Sequence, residues 1–197
     1  GSDPSSTTDT ASNSVAIGVG ALDAITTGDN NVAVGLDALT ANTTGGDNTA
    51  VGAYSLGANT TGAQNVAVGV AALDANTTAS GNTVVGYQAG TAINTGAQNV
   101  IMGKGAALVG TTVSDSVVIG SEAGAALTTA SGNVAIGYRS LDATTTGADN
   151  VAIGKNSLTA NTTASNNTAV GKDALAASTT GALNVAVGAS ALEANTT

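Results

Sequence analysis

A short apolar run, a glycine, a second apolar patch and a polar stretch follow one another along this chain with an unvarying step of 17 residues. Asn31-Val-Ala-Val-Gly35 is the first complete copy of the run. It recurs at Asn48, Asn65, Asn82, Asn99, Ser116, Asn133, Asn150, Asn167 and Asn184, and once upstream at Ser14, which makes eleven units without insertion or deletion. A fixed period of this size marks a stack of repeats, each unit burying its apolar surface against its neighbours. Positions within a unit are numbered here from 1 at the Asn to 17.

Position 2 is Val or Thr, position 3 Ala, Val or Ile, and position 4 Val or Ile with one Met, Met102. Such a β-branched run closed by glycine predicts a strand and its stop. Position 5 is Gly in every unit, which predicts either a positive φ or a close backbone approach. Glycine once per unit and the Thr-Thr pairs oppose a helix. Positions 8 to 11, typified by Ala38-Leu-Thr-Ala41, predict a second short strand, and the polar positions 12 to 17 a broader turn. Each unit is thus one coil of an all-β parallel β-solenoid. Residues 14–197 form the array, and residues 1–13, rich in Ser, Thr and Asp and holding the one proline, Pro4, read as a disordered leader or linker. Gly1-Ser2 looks like a cloning scar and Thr197 stops within a unit, so the chain is expected to be a piece of a longer one.

Alternation along the strand puts positions 2 and 4 on one side and position 3 on the other. The simplest coil places 2, 4, 9 and 11 inside. Where position 9 loses its Leu, at Gly90, Ala107 and Gly124, volume returns nearby at Ile93, at Leu108 and Val109, and at Leu127, as a packed interior demands. Position 3 then faces outward as a seam of Ala16, Ala33, Ala50, Ala67, Val84, Ile101, Val118, Ala135, Ala152, Ala169 and Ala186. At ~4.8 Å per layer the seam runs roughly 50 Å. Monomers rarely leave such a stripe bare, so it is expected to be buried between parallel copies of the chain. The Asn column at position 1 is expected to hydrogen-bond from layer to layer, with interruptions at Ser14 and Ser116.

Ser14-Val-Ala-Ile-Gly18, Ser116-Val-Val-Ile-Gly120, Asn133-Val-Ala-Ile-Gly137 and Asn150-Val-Ala-Ile-Gly154 resemble the head repeat of YadA-like trimeric autotransporter adhesins. Similar repeats occur in bacteriophage tail fibres. The resemblance covers residues 14–197 and implies a left-handed β-roll assembled as a homotrimer, with the position 3 seam as the trimer interface. It also implies an extracellular setting, on a bacterial surface or in a virion tail fibre, and a host cell, extracellular matrix or glycan receptor as partner. The unit here is longer than the usual head repeat, the Asn-Thr-Thr segment enlarging the outer turn. Within residues 14–197 no segment reads as a neck, coiled-coil stalk or membrane anchor.

Composition narrows the chemistry. The 197 residues carry 13 acids against Lys104, Arg139, Lys155 and Lys172, a net charge of -9, which argues against nucleic acid as a partner. Aromatics are limited to Tyr54, Tyr87 and Tyr138, which suits many thin layers better than one thick core. No run is long and apolar enough to span a membrane. With no His, no Cys and no recurrent acid pair, the chain is not expected to be an enzyme or to take a cofactor. Asp47, Asp115 and Asp149 share position 17, but other units hold Gln, Gly, Asn or Leu there, so they read as turn residues rather than calcium ligands.

Three further features remain. Thr stands at position 14 in every unit and at position 13 in all but one, Asn94, so an ice-binding solenoid is the alternative reading. Adjacent residues face opposite ways, however, which gives one outward rank and favours ladder bonding. Asn42, Asn59, Asn76, Asn161 and Asn195 head Asn-Thr-Thr glycosylation patterns that arise from the repeat itself. Finally, Tyr54, Tyr87, Lys104, Tyr138, Arg139, Lys155 and Lys172 all fall at positions 6 and 7, a candidate ligand rim. A purely structural fibre spacer is the third reading.

Overall fold

The structure is a computed structural model and describes residues 11–196. The expected leader lies outside the described residues apart from 11–13. Ser12 and Asn13 already follow the stack. The Asn30 N–H donates to the Ser12 carbonyl at 3.0 Å, and Asn13 has the same left-handed backbone (φ 57°) as Asn30 (φ 60°) one coil later.

Eleven three-residue strands, from β1 (Val15–Ile17) and β2 (Val32–Val34) to β10 (Thr168–Val170) and β11 (Val185–Val187), form one parallel sheet in chain order. Each strand pairs with the equivalent residue of the next coil, as in Val32 with Thr49 and Ala33 with Ala50. The chain is therefore a parallel β-solenoid, as its period predicts. The N–H of Val32 donates to Asn48 O and that of Gly35 to Ile17 O, both at 2.8 Å. Bonding between coils continues past the strand. Asp37 N donates to Val19 O at 2.9 Å, Leu39 N to Ser55 O at 3.1 Å and Thr43 N to Thr60 O at 3.0 Å.

Two expectations are corrected. Positions 8 to 11 are not a second strand. They form turns in which positions 7 and 9 both take left-handed backbone, as at Asp37 (φ 52°) and Leu39 (φ 51°). The two turns close with Ala38 N to Gly35 O and Asn42 N to Leu39 O bonds. A left-handed residue costs about 1–2 kcal/mol, which the burial of a leucine, about 1.5–3 kcal/mol, offsets.

The second correction concerns the faces. Position 3 points into the coil and positions 2 and 4 point out. Ala33, Ala50, Ala67, Val84, Ile101, Val118, Ala135, Ala152 and Ala169 are 0 % exposed within a single chain, and Ala186 is 2 % exposed. Only Ala16, in the first coil, is open. The interior is filled by positions 1, 3, 8, 9, 12 and 15, and position 11 is outside. The physical reason lies in the leucine: with left-handed backbone it projects inward against position 3, leaving room there for little more than a methyl. Where position 9 shrinks to Gly90, Ala107 or Gly124, position 3 grows to Val84, Ile101 or Val118. A Cβ placed on Gly90 would meet Ile93 Cδ1 at 3.3 Å, Ile101 Cδ1 at 3.4 Å and Val84 Cγ1 at 3.6 Å, so the missing volume has been refilled. In the coil of Ala107 the filler is Val113, buried at position 15, rather than Leu108 and Val109, which are exposed.

Glycine at position 5 answers both demands read from the sequence. Gly35 has φ +142°, and a Cβ on it would lie 2.6 Å from the carbonyl carbon of Gly52 in the next coil. No L-residue fits there.

Two asparagine ladders run through the interior. At position 1 the Asn31 Oδ1 accepts from Asn48 N at 3.0 Å, and the pattern repeats coil by coil. Serine does not break this column. Ser116 Oγ accepts from Asn133 N at 3.2 Å, and Ser14 Oγ accepts from Asn31 N at 3.1 Å. The second ladder, at position 12, is also internal. Asn59 Nδ2 donates to Asn42 Oδ1 at 2.9 Å and Asn76 Nδ2 to Asn59 Oδ1 at 2.8 Å. These residues head the glycosylation patterns, yet Asn42, Asn59, Asn76 and Asn161 are fully buried.

Candidate functional site

With position 3 inside, the outward face of the sheet carries two ranks. One rank is Val or Thr at position 2, from Val15 to Val185, and the other is Val, Ile or Met at position 4, from Ile17 to Val187. No charged residue falls in either rank. Most of these side chains are half-buried by the coils above and below. The end coils and Val100, Met102 and Ile153 are more open, Val187 reaching 70 %. The strip measures roughly 50 Å by 10 Å from strand spacing. At about 500 Å², it lies at the upper end of what monomers expose as a single patch. The sequence does contain an exposed apolar stripe of the expected length, but it is built from the β-branched residues flanking the alanine seam.

Just past the glycine turn, position 6 extends this strip in the first half of the chain and changes character in the second. Val19, Leu36, Val70 and Tyr87 are exposed apolar or aromatic residues, whereas Lys104, Lys155 and Lys172 put ammonium groups at the same position. The seven rim residues expected from the sequence are all exposed. The structure gathers three of them in neighbouring coils. Lys155 Nζ lies 6.0 Å from the centre of the Tyr138 ring, and the Arg139 guanidinium bonds Asp142 at 2.6 Å with Glu122 at 3.8 Å. Lys172 pairs with Asp173 at 2.9 Å, and Asn156 donates to the same carboxylate at 2.9 Å. These bonds from Lys172 and then Asn156 hold the Asp173 carboxyl below the usual range. Tyr54 and Tyr87 stand in earlier coils and are not part of this cluster. Two of the four cations, Arg139 and Lys172, are therefore matched by acids, and the cluster is a polar patch with one exposed aromatic ring, Tyr138.

The threonine columns divide. At position 13 the hydroxyl donates to the position 13 carbonyl of the next coil, as from Thr43 Oγ1 to Thr60 O at 3.1 Å and from Thr60 Oγ1 to Thr77 O at 3.0 Å. At position 14, from Thr27 to Thr180, the side chains form one exposed rank. Comparison of the chain with protein-family models, with curated proteins and with solved structures finds no significant match in any of the three.

Proposed function

We propose that this chain is a non-catalytic head or shaft module of a surface or virion fibre. In this reading three parallel copies bury their Val/Ile sheet faces together as a homotrimer of left-handed β-rolls. The supporting observation is the two-rank, charge-free apolar face that runs the length of the sheet. A face of this size is stabilised by covering it with a like surface, and chains related by a rotation axis along the solenoid all offer the same ranks. The resemblance of the Val-Ala-Ile-Gly repeats to YadA-like heads supplies the number three and the extracellular setting.

The mechanism is mechanical and multivalent. The assembly projects the Tyr138, Arg139 and Lys155 rim outward three times over, so weak contacts with a host surface, matrix protein or glycan add by avidity. The spacer reading differs only in assigning no ligand to that rim. Ice binding rests on the single exposed Thr rank.

Light scattering on the purified chain tests the assembly. The expected mass is that of three chains, and a Val68→Glu, Ile136→Glu double variant is expected to run as one chain with an unchanged β-type circular dichroism spectrum. A well-folded, single-chain wild-type particle sinks the proposal. Binding of the trimer to matrix or glycan arrays, reduced by Tyr138→Ala with Lys155→Ala, separates the adhesin from the spacer.

A further inference from the structure

The position 12 ladder contains one irregularity with chemical content. At Asn59, Asn76 and Asn161 the amide nitrogen donates twice, to the Oδ1 or hydroxyl of the preceding coil and to the position 15 carbonyl of its own coil. The Oδ1 atoms of Asn42 and Asn59 point the other way and receive the next amide. Thr144 substitutes without loss: its hydroxyl accepts from Asn161 Nδ2 at 3.2 Å and donates to Asn161 O at 3.0 Å. Ser178 does not. Ser178 and Asn161 are both 0 % exposed, and neither Ser178 Oγ nor Asn161 Oδ1 has a hydrogen-bond partner among the described residues. The Asn161 nitrogen is committed to Thr144 and to Ala164 O, so its oxygen is aimed at the coil of Ser178. Among the described residues the position 15 carbonyl of that coil, Gly181 O, accepts only from Asn167 Nδ2, at 2.8 Å, whereas Gly62 O accepts from two amides.

We propose that Asn161, Ser178 and Gly181 form a binding site for one internal water molecule. Replacing a carboxamide by a hydroxyl frees space comparable to the ~30 Å³ share of one water in the liquid. The polarity also fits one molecule. Its two protons reach two acceptors, Asn161 Oδ1 and Gly181 O, and its oxygen receives the Ser178 hydroxyl proton. Three bonds is the usual number for a buried water. Leaving two buried polar atoms unpaired is the disfavoured alternative. Asn76 is a useful contrast. Its Oδ1 is also unpaired, but Ile93 occupies the next place in the column, so no polar pocket forms there.

Water magnetic relaxation dispersion on the intact chain, beside a crystal structure that resolves ordered solvent, tests the site. Wild type is expected to hold one more long-lived water per chain than Ser178→Asn, with density within hydrogen-bond distance of Asn161 Oδ1 and Ser178 Oγ. Asn occupies the same position in five other described coils, so Ser178→Asn is expected to fold and to bond Asn161 Oδ1 directly. Equal water counts in the two proteins overturn the proposal. So does a structure in which the Ser178 hydroxyl bonds Asn161 Oδ1 itself, or one in which the space is dry.

Discussion

The side-chain amides of Asn48 and Asn59 converge on one carbonyl oxygen, that of Gly62, at 2.8 and 3.0 Å. The two residues come from different segments of the coil, one opening the strand and the other ending the left-handed turns. Their meeting ties the start of a coil to the outer turn that ends the same coil. The same convergence occurs on Gly45 O, Ala79 O and Ala164 O. In a solenoid this thin, the interior cannot be apolar all round, because the turn carbonyls have to be buried. The asparagines satisfy them.

Replacing Asn48 by Ala therefore removes more than one bond. It leaves Gly62 O with one donor and Asn65 N, which donates to Asn48 Oδ1 at 3.0 Å, with none. At about 1–3 kcal/mol for each buried group left unpaired, a loss of roughly 2–4 kcal/mol is expected. Asn48→Ser is expected to cost less, because serine retains the acceptor, as Ser116 does for Asn133. Urea denaturation of the two variants checks the order.

The paired substitutions at positions 3 and 9 give a second test. Leu73→Gly empties the coil interior beside Ala67 and is expected to cost about 2–5 kcal/mol, as large-to-small core changes do. Adding Ala67→Val and Asn76→Leu recreates the set found at Val118, Gly124 and Leu127, where a Cβ on Gly124 would meet Leu127 Cγ at 3.1 Å and Val118 Cγ1 at 3.3 Å. The triple variant is expected to recover at least half of the loss, and a double-mutant cycle measures the coupling.

That covariation also explains which parts of the fold were legible. The period, the parallel stacking, the role of Gly at position 5 and the Asn column at position 1 follow from sequence. The choice of face did not, because both faces of the strand are apolar and alternation has no polar side to orient it. Yet position 3 is Ala wherever position 9 is Leu, and Val or Ile at the three coils where it is not. That volume exchange places both positions in one cavity. The left-handed leucines were missed because bulky side chains rarely accept positive φ. Gly90 and Gly124 at position 9, and Gly20, Asp37, Gly105 and Asn156 at position 7, carried the hint. For the candidate site, exposure of the rim was legible. Its internal neutralisation by Asp142 and Asp173 depends on which side chains the turns bring together.

The buried ladder changes what the Asn-Thr-Thr patterns mean. Asn42, Asn59, Asn76 and Asn161 have their amide nitrogens inside the coil and hydrogen-bonded, those of Asn59, Asn76 and Asn161 twice. The folded chain is expected to resist glycan transfer at all four sites, and unfolded chain to accept it. Mass spectrometry after treatment with an oligosaccharyltransferase, with and without prior unfolding, distinguishes the two.

Two carboxylates are expected to respond to acid in opposite senses. Asp173 is held low by Lys172 and Asn156. Its contribution is present above the unfolded-state value and is lost as pH falls through the lower folded value. Asp74 is pushed up by partial burial, so its ionised form opposes folding at neutral pH and the penalty disappears once acid protonates it in both states. Asp173→Asn is therefore expected to lower stability at neutral pH and to flatten the acid limb of the stability curve. Asp74→Asn is expected to raise stability at neutral pH and to change little below the ordinary carboxylate range. Urea midpoints measured from pH 7 down to about pH 3, a window spanning the unperturbed aspartate value, read both effects, and a shift of the same sign in both variants at neutral pH contradicts the assignment.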